Sequence, residues 1–212
     1  MPRPAPAAPT RDEPIATGDK RQAVLDAALT LMVERGFHGT AMPQVAAQAR
    51  VGVGTIYRYF ADKEQLGNAL YREGKQALAA ALWGEPLPDL GFEAQFKDVW
   101  RRLAAFARSR TLMLRFLELH YHASYLDAES LALEQSALEP ANAYLRTAIA
   151  AGAVRDLPPE LLGAMVWAML IAVCAEPATL AQPDLVAAAG DCAWAAIRRP
   201  ASADSITDRR KT

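Results

Sequence analysis

The sequence predicts an all-α protein, and three observations carry that prediction. Alanine dominates a chain that is 52% apolar and only 8% aromatic, a mixture that favours helix over sheet. Apolar side chains recur at three- and four-residue spacing through most of its length, while alternating runs rich in Val, Ile and Thr are scarce. Proline and glycine clusters then cut the pattern into segments of helical length. About nine helices are expected: a small N-terminal helix-turn-helix head and a larger helical body, with no internal repeat and no strand.

Taken in order, residues 1–18 are rich in Pro and Ala and read as a disordered tail. Helix one opens at Asp19, which forms a capping box with Gln22. It continues through Val24, Leu25, Ala28, Leu29 and Met32, and Gly36 ends it by taking a left-handed backbone. Thr40 can cap a second short helix, with Pro43 in its first turn and Val45, Ala46 and Ala49 facing inward. The turn Arg50-Val51-Gly52 leads into a third helix of about seven residues ending near Phe60. Asp62 and Gln65 make another capping box, opening a long helix to about Leu82. Gly84, Pro86 and Pro88 break the chain between Trp83 and Leu90. Body helices follow at about 90–108, 111–120, 127–151, 159–175 and 184–198, with Pro140 expected to kink or restart the third of them. The expected division is a head at 19–65, a body at 66–199 and a second disordered tail at 200–212.

A length of 212 residues suffices to bury a core without metal or disulfide staples. The net charge of −1 conceals a split. Residues 1–75 hold ten Lys/Arg against eight Asp/Glu, residues 76–197 eight against fourteen, and the last fifteen residues five against two. A basic head on an acidic body permits binding to DNA without proving it. Cys174 and Cys192 sit in apolar stretches without a CxxC motif, so they read as buried thiols in a reducing cytosol. The N-terminus lacks the apolar core of a signal peptide. The longest uncharged apolar run, Leu161 to Ala175, is short for a bilayer span and suits a buried helix. A cytoplasmic protein with no membrane association is expected. No Gly-rich phosphate loop, G-x-S-x-G elbow, H-E-x-x-H motif or paired-carboxylate site appears, which argues against an enzyme.

The segment from Thr40 to Phe60 carries the function. Two short helices around a tight turn are what a helix-turn-helix requires. Val45, Ala46, Ala49, Val51, Ile56 and Phe60 are spaced to lock the helices together. Val53, Gly54, Thr55, Tyr57, Arg58 and Tyr59 are left outside. Two tyrosines on such a face gain a purpose if a duplex covers them, with phenol hydroxyls donating to phosphates and rings lying on sugars and thymine methyls.

The run Ala49-Arg50-Val51-Gly52-Val53-Gly54-Thr55-Ile56-Tyr57-Arg58-Tyr59-Phe60 resembles the turn and recognition helix of the TetR family of transcriptional regulators, which commonly read A-G-V-S-K-G-T-L-Y-R-H-F. The likeness continues through Asp62-Lys63-Glu64-Gln65-Leu66 and covers residues 20–70. Arg50 stands where the family usually has glycine, so either a non-glycine residue takes positive φ or the turn differs. Gly52 stands in place of a Ser or Thr cap. Val53 replaces a frequent Lys, as drift at a tolerant position or as a contact to a thymine methyl.

The resemblance implies that Thr40, Gln44, Thr55, Tyr57, Tyr59 and Lys63 hold the phosphate backbone and that Gly54 lets the helix sit close to the groove. Val53, Gln44 and Arg58 would touch base edges. Arg58 reads equally as a solvated or ion-paired side chain, and Lys63 as a surface charge.

For the body, the resemblance implies a homodimer and a pocket for a small, largely apolar effector, with no cofactor. Phe96, Trp100, Met113, Phe116, His120, Tyr121 and Tyr144 are the candidate pocket residues. Leu162, Met165, Val166, Met169, Leu185, Trp194 and Ile197 are the candidate dimer contacts, because their helices leave hardly any polar face. His120 and His122 lie two apart on a helix and point in nearly opposite directions, so no metal site is expected. The implied function is a repressor that a ligand releases from a palindromic operator. The rival reading is a helical protein-binding adaptor with a vestigial head.

Overall fold

The computed structural model describes residues 17–120 and 123–200, with side chains from residue 20 onward. Ten helices occupy these residues: α1 Thr17–Arg35, α2 Met42–Ala49, α3 Val53–Tyr57, α4 Lys63–Trp83, α5 Phe92–Ser109, α6 Thr111–Leu119, α7 Ala128–Ala150, α8 Pro159–Cys174, α9 Pro177–Leu180 and α10 Pro183–Ile197. No strand occurs among the described residues, and one isolated antiparallel bridge joins Val154 to Arg198. The chain forms two compact units, Met1–Leu70 and Tyr71–Thr212, which divide inside α4. Apart from Thr17, Gly18 and Pro200, the expected tails lie outside the described residues.

In the first unit, Val24, Leu25, Ala28, Leu31 and Met32 of α1 are buried with Val45, Ala46 and Ala49 of α2, Ile56 of α3, and Phe60, Leu66 and Leu70. The helix opens at Thr17, so Asp19 lies inside it and is not its cap. Gly36 ends α1 at φ +73°, the left-handed conformation that a residue without Cβ adopts freely. Asp62 Oδ1 accepts the backbone N–H of Gln65 at 2.7 Å, as a capping box requires, but Gln65 Oε1 reaches back to Ala61 N, at 3.1 Å, and not to Asp62.

The second unit is held by α5 and α10, which approach closely because Gly190 faces Trp100. A Cβ on Gly190 would lie 2.6 Å from the indole Cδ1. The Trp100 indole N–H donates to Val186 O at 2.8 Å, and the Phe96 ring sits between Trp100 and Trp194 at centroid distances of 6.4 and 5.4 Å. The break between α4 and α5 is stitched by Arg102. Its guanidinium donates to Leu82 O, Glu85 O and Pro86 O at 2.8, 2.7 and 2.9 Å and pairs with Asp98 at 2.7 Å. Burial would raise the Asp98 carboxyl, but the adjacent Arg101 and Arg102 hold it below the usual carboxylate range. Asp127 caps α7, accepting from Ser130 N at 2.8 Å.

Three expectations are corrected. Pro140 neither ends nor restarts α7, which runs unbroken through it with the ring exposed to solvent. A short tenth helix, α9, occupies a stretch expected to be a connection. The two cysteines are not buried: Cys192 is exposed and Cys174 half-buried, both as free thiols. Among the described residues no helix is long and apolar enough to cross a membrane, and no cluster of His, Cys, Asp and Glu could hold a metal ion.

Candidate nucleic-acid interface

The helix-turn-helix is set by how α2 ends. Arg50 takes φ 57° and ψ 39°, a left-handed conformation. Its N–H and that of Val51 turn back to Ala47 O and Ala46 O at 3.2 and 3.0 Å. This closes the carbonyls of α2 as a glycine would, at the steric cost of a Cβ. The departure from glycine is therefore absorbed by backbone strain, not by a different turn. Gly52 then starts α3 without a side-chain cap.

On α3 only Ile56 is buried, and it anchors the helix. Tyr57 is 51% exposed and Val53 39%. Arg58 is also exposed and forms no ion pair among the described residues. Gly54 faces open space, since an added Cβ would meet nothing within 4 Å. Thr55 is half-buried and starts the helix through its N–H to Gly52 O at 2.8 Å. Tyr59 is half-buried, its ring tilted against Phe60 at 6.4 Å. Val53, Gly54, Thr55 and Tyr57 of this short element thus lie open or partly open beside the exposed bases Arg50 and Arg58. That surface can offer phenolic and guanidinium donors to phosphates, and a small apolar contact to a base edge.

One implied phosphate ligand is corrected. Thr40 is 1% exposed, and its hydroxyl donates to Gly36 O at 2.9 Å. It braces the α1–α2 turn, and Ala41, not Thr40, is the N-cap of α2. Lys63 is half-buried, its Nζ donating to Phe37 O at 2.9 Å and lying 4.5 Å from the centroid of the Phe37 ring, a bond that uses one of the ammonium's three donors. Gln44 is exposed. Its Oε1 accepts from Ala41 N at 3.1 Å, which leaves its amide nitrogen as a donor.

In the body, Phe96 and Trp100 belong to the closed packing between α5 and α10. Met113 and Phe116 are buried on α6, with Met113 seated against Gly74. His120 is buried beneath the Phe116 ring at 4.3 Å and shares a hydrogen bond of 2.8 Å with the Tyr125 hydroxyl. Burial pushes this imidazole below its ordinary value, favouring the neutral form, and raises the Tyr125 phenol. The Tyr144 hydroxyl donates to Phe92 O at 2.7 Å, and burial raises that phenol too. Tyr121 and His122 lie outside the described residues.

Of the implied dimer contacts, Leu162 and Ile197 are fully buried and Trp194 nearly so, which makes them core residues of their own subunit. Met165, Val166 and Met169 are half-buried, and Leu185 is 45% exposed. The open faces are made by smaller residues: Leu161, Ala164, Ala168 and Ala172 on α8, and Leu185, Ala188, Cys192 and Ala195 on α10. Each set recurs at three- or four-residue spacing and so forms one stripe. Of these, Leu185 alone was among the expected contacts, because the expectation rested on large side chains. Sequence reasoning also passed over a buried polar cluster: Tyr71, Lys75 and Glu134. The spacing of Tyr71 and Lys75 on one helical face was the available signal.

Comparison with known proteins agrees with this architecture. The family model described as bacterial regulatory proteins, tetR family, matches residues 24–70. A second, described as tetracyclin repressor-like, C-terminal domain, matches residues 86–199. The uncharacterized HTH-type transcriptional regulator YhgD of Bacillus subtilis is 25% identical over 161 residues, covering 73% of this chain and 82% of that protein. The HTH-type transcriptional repressor KstR of Mycolicibacterium smegmatis is 39% identical over 83 residues, covering 36% of this chain and 41% of its own length. The crystal structure of a TetR family transcription regulator from Marinobacter aquaeolei shares the fold with a TM-score of 0.74 at 22% identity, covering 86% of this chain and 97% of that one.

Proposed function

The chain belongs to the TetR family of bacterial transcriptional regulators, and we propose that it is a homodimeric repressor released from a palindromic operator by a small, largely apolar effector. The family consists of DNA-binding regulators, not enzymes. The observation that carries the finer reading is the face of α3: Ile56 alone is buried, while Val53, Gly54, Tyr57 and Arg58 face outward. A helix of five residues offering so little to its own core is built to be covered by something else. Tyr57, Tyr59, Thr55 and the Gln44 amide hold phosphates, Val53 meets a thymine methyl, and Arg58 reaches a base edge. Two such heads related by a two-fold axis match a palindrome. The open stripes on α8 and α10 support pairing through those helices, and a named repressor among the relatives supports the sign of the output. Met113, Phe116 and His120 on and just beyond α6 are the proposed effector side of the body. The effector acts through its difference in affinity between a DNA-fitting and a non-fitting state.

The test is a gel-shift titration on the promoter DNA flanking the gene. Tyr57→Ala should weaken binding by about 1–3 kcal/mol while the circular dichroism spectrum stays helical. The wild-type affinity should fall steeply with salt as counterions are released. An unchanged affinity for the variant refutes the assignment of α3. Absence of DNA binding at low salt would favour the protein-binding adaptor.

A further inference from the structure

Resting on the reading that the body is a ligand sensor, we infer that its effector is an apolar molecule bearing one carboxylate, and that Lys75 and Tyr71 form the seat for that carboxylate, which Glu134 occupies in the structure. Lys75 Nζ lies 3.2 Å from Glu134 Oε1, and the Tyr71 hydroxyl donates to Glu134 Oε2 at 2.6 Å. All three residues are buried. Both donors stand on α4, four residues apart and hence on one face, so that helix alone converges two donors on a single carboxylate. The acceptor comes from another element, α7.

Such an arrangement is poorly explained as a means of stability. Taking an ammonium and a carboxylate out of water costs about as much as their attraction returns, and well-packed apolar residues usually serve a core at least as well. A buried pair makes better sense as a seat whose occupant can be exchanged. Replacing one carboxylate by another conserves the charge on Lys75, so the exchange leaves no buried ammonium uncompensated.

The packing on the neighbouring part of α4 has matching chemistry. Gly74 lies three residues along α4 from Tyr71, and the space its missing side chain leaves is filled by α6. Met113 Sδ lies against the place where a Cβ would be, and Leu117 Cδ2 is 3.1 Å from it. Methionine is the unbranched, adaptable filler of apolar cores, so this contact can be vacated by rotamer change more readily than one made by a branched or aromatic side chain. A removable apolar plug thus stands within one turn of α4 from the polar seat, as an amphiphilic acid would need.

Exchange also supplies the required difference between states. Losing Glu134 from the seat removes a direct link between α4 and α7. Arg72 keeps the first turn of α7 anchored through Asp127 at 3.0 Å and Ser130 Oγ at 3.1 Å. The ligand then binds the untied arrangement and not the tied one.

The experiment uses the full-length protein and titrates it with decanoate, 2-naphthoate and decan-1-ol, read by intrinsic fluorescence and by release of promoter DNA. One carboxylate should bind at least about tenfold more tightly than the alcohol, the worth of one charge-assisted hydrogen bond. Lys75→Met should erase that preference. Glu134→Gln keeps an acceptor for Tyr71 but removes the carboxylate charge beside Lys75, so it should lower the melting temperature and, where circular dichroism shows it folded, tighten carboxylate binding several-fold by weakening the internal competitor. Equal affinity for acid and alcohol, no binding of either acid, or loss of acid binding in folded Glu134→Gln overturns the inference. If wild type and both variants hold promoter DNA yet ignore the acids, the seat fails and the regulator stands. If the wild type never holds DNA, the regulator reading itself fails.

Discussion

Arg50 and Gly54 lie four residues apart in the head and set two demands against each other. Arg50 supplies a left-handed turn that glycine would supply without steric cost. Arg50→Gly should therefore raise the stability of the DNA-free protein by roughly 0.5–1 kcal/mol, because relief of the crowded Cβ exceeds glycine's added unfolded-state entropy. Urea denaturation followed by helical ellipticity would check it, and a destabilised variant would mean that the Arg50 side chain contributes a contact of its own. Gly54 is the opposite case. Its φ is not in the left-handed region, and an added Cβ would touch nothing. Gly54→Ala should stabilise the head by about 0.4–1 kcal/mol and yet weaken promoter binding. A variant that gains stability and keeps full affinity would show that the groove does not approach this position. These residues were readable in the sequence because turn chemistry is local. Thr40 was misread because residue type and spacing do not show that its hydroxyl turns inward to Gly36 O.

At the scale of elements, capping residues and proline punctuation placed most helix ends within a few residues, and the failures have physical causes. Pro140 loses one backbone hydrogen bond, but Glu134 before it and Leu145 and Ala148 after it are buried, so tertiary packing carries α7 across the gap. The four residues of α9 are too few to show a period. Nothing in sequence spacing could reveal that Gly190 of α10 meets Trp100 of α5, because that contact joins positions ninety residues apart. The structure makes it a sharp test. Trp100 is held by its hydrogen bond to Val186 O and by the Phe96 ring, so it cannot yield to a methyl placed 2.6 Å away. Gly190→Ala should cost about 1–3 kcal/mol in spite of alanine's better helix propensity. Thermal unfolding monitored by tryptophan fluorescence would report both the loss and the displaced indole. A melting temperature at or above that of the wild type would mean that α5 and α10 separate easily.

For the whole molecule, the proposed function requires two heads held in register, and on that reading the surface that holds them is mostly small-residue helix, not bulky core. Sequence periodicity identified α8 and α10 as too apolar for a solvated surface, which is sound for the helices as units. It could not say which residues face inward, because α8 is apolar all round and carries no polar stripe to orient it. The structure resolves that ambiguity: Leu162 and Leu170 turn inward, while Leu161, Ala164, Ala168 and Ala172 remain open. Small side chains let two helix backbones approach closely, and a charge inserted between them would be desolvated without a partner. Ala168→Glu therefore separates the dimer reading from an ordinary solvent-facing role. The site is exposed in the single subunit, so the carboxylate is hydrated there and the fold should survive. In the dimer it should weaken association by well over about tenfold, a cost of more than 1.4 kcal/mol. Sedimentation velocity at micromolar concentration should then give a monomer for the variant and a dimer for the wild type. Operator affinity should collapse alongside, because one head on its own loses the second half-site. A variant that stays dimeric would place the interface elsewhere. One that turns monomeric yet binds the full operator unchanged would show that the two heads act independently.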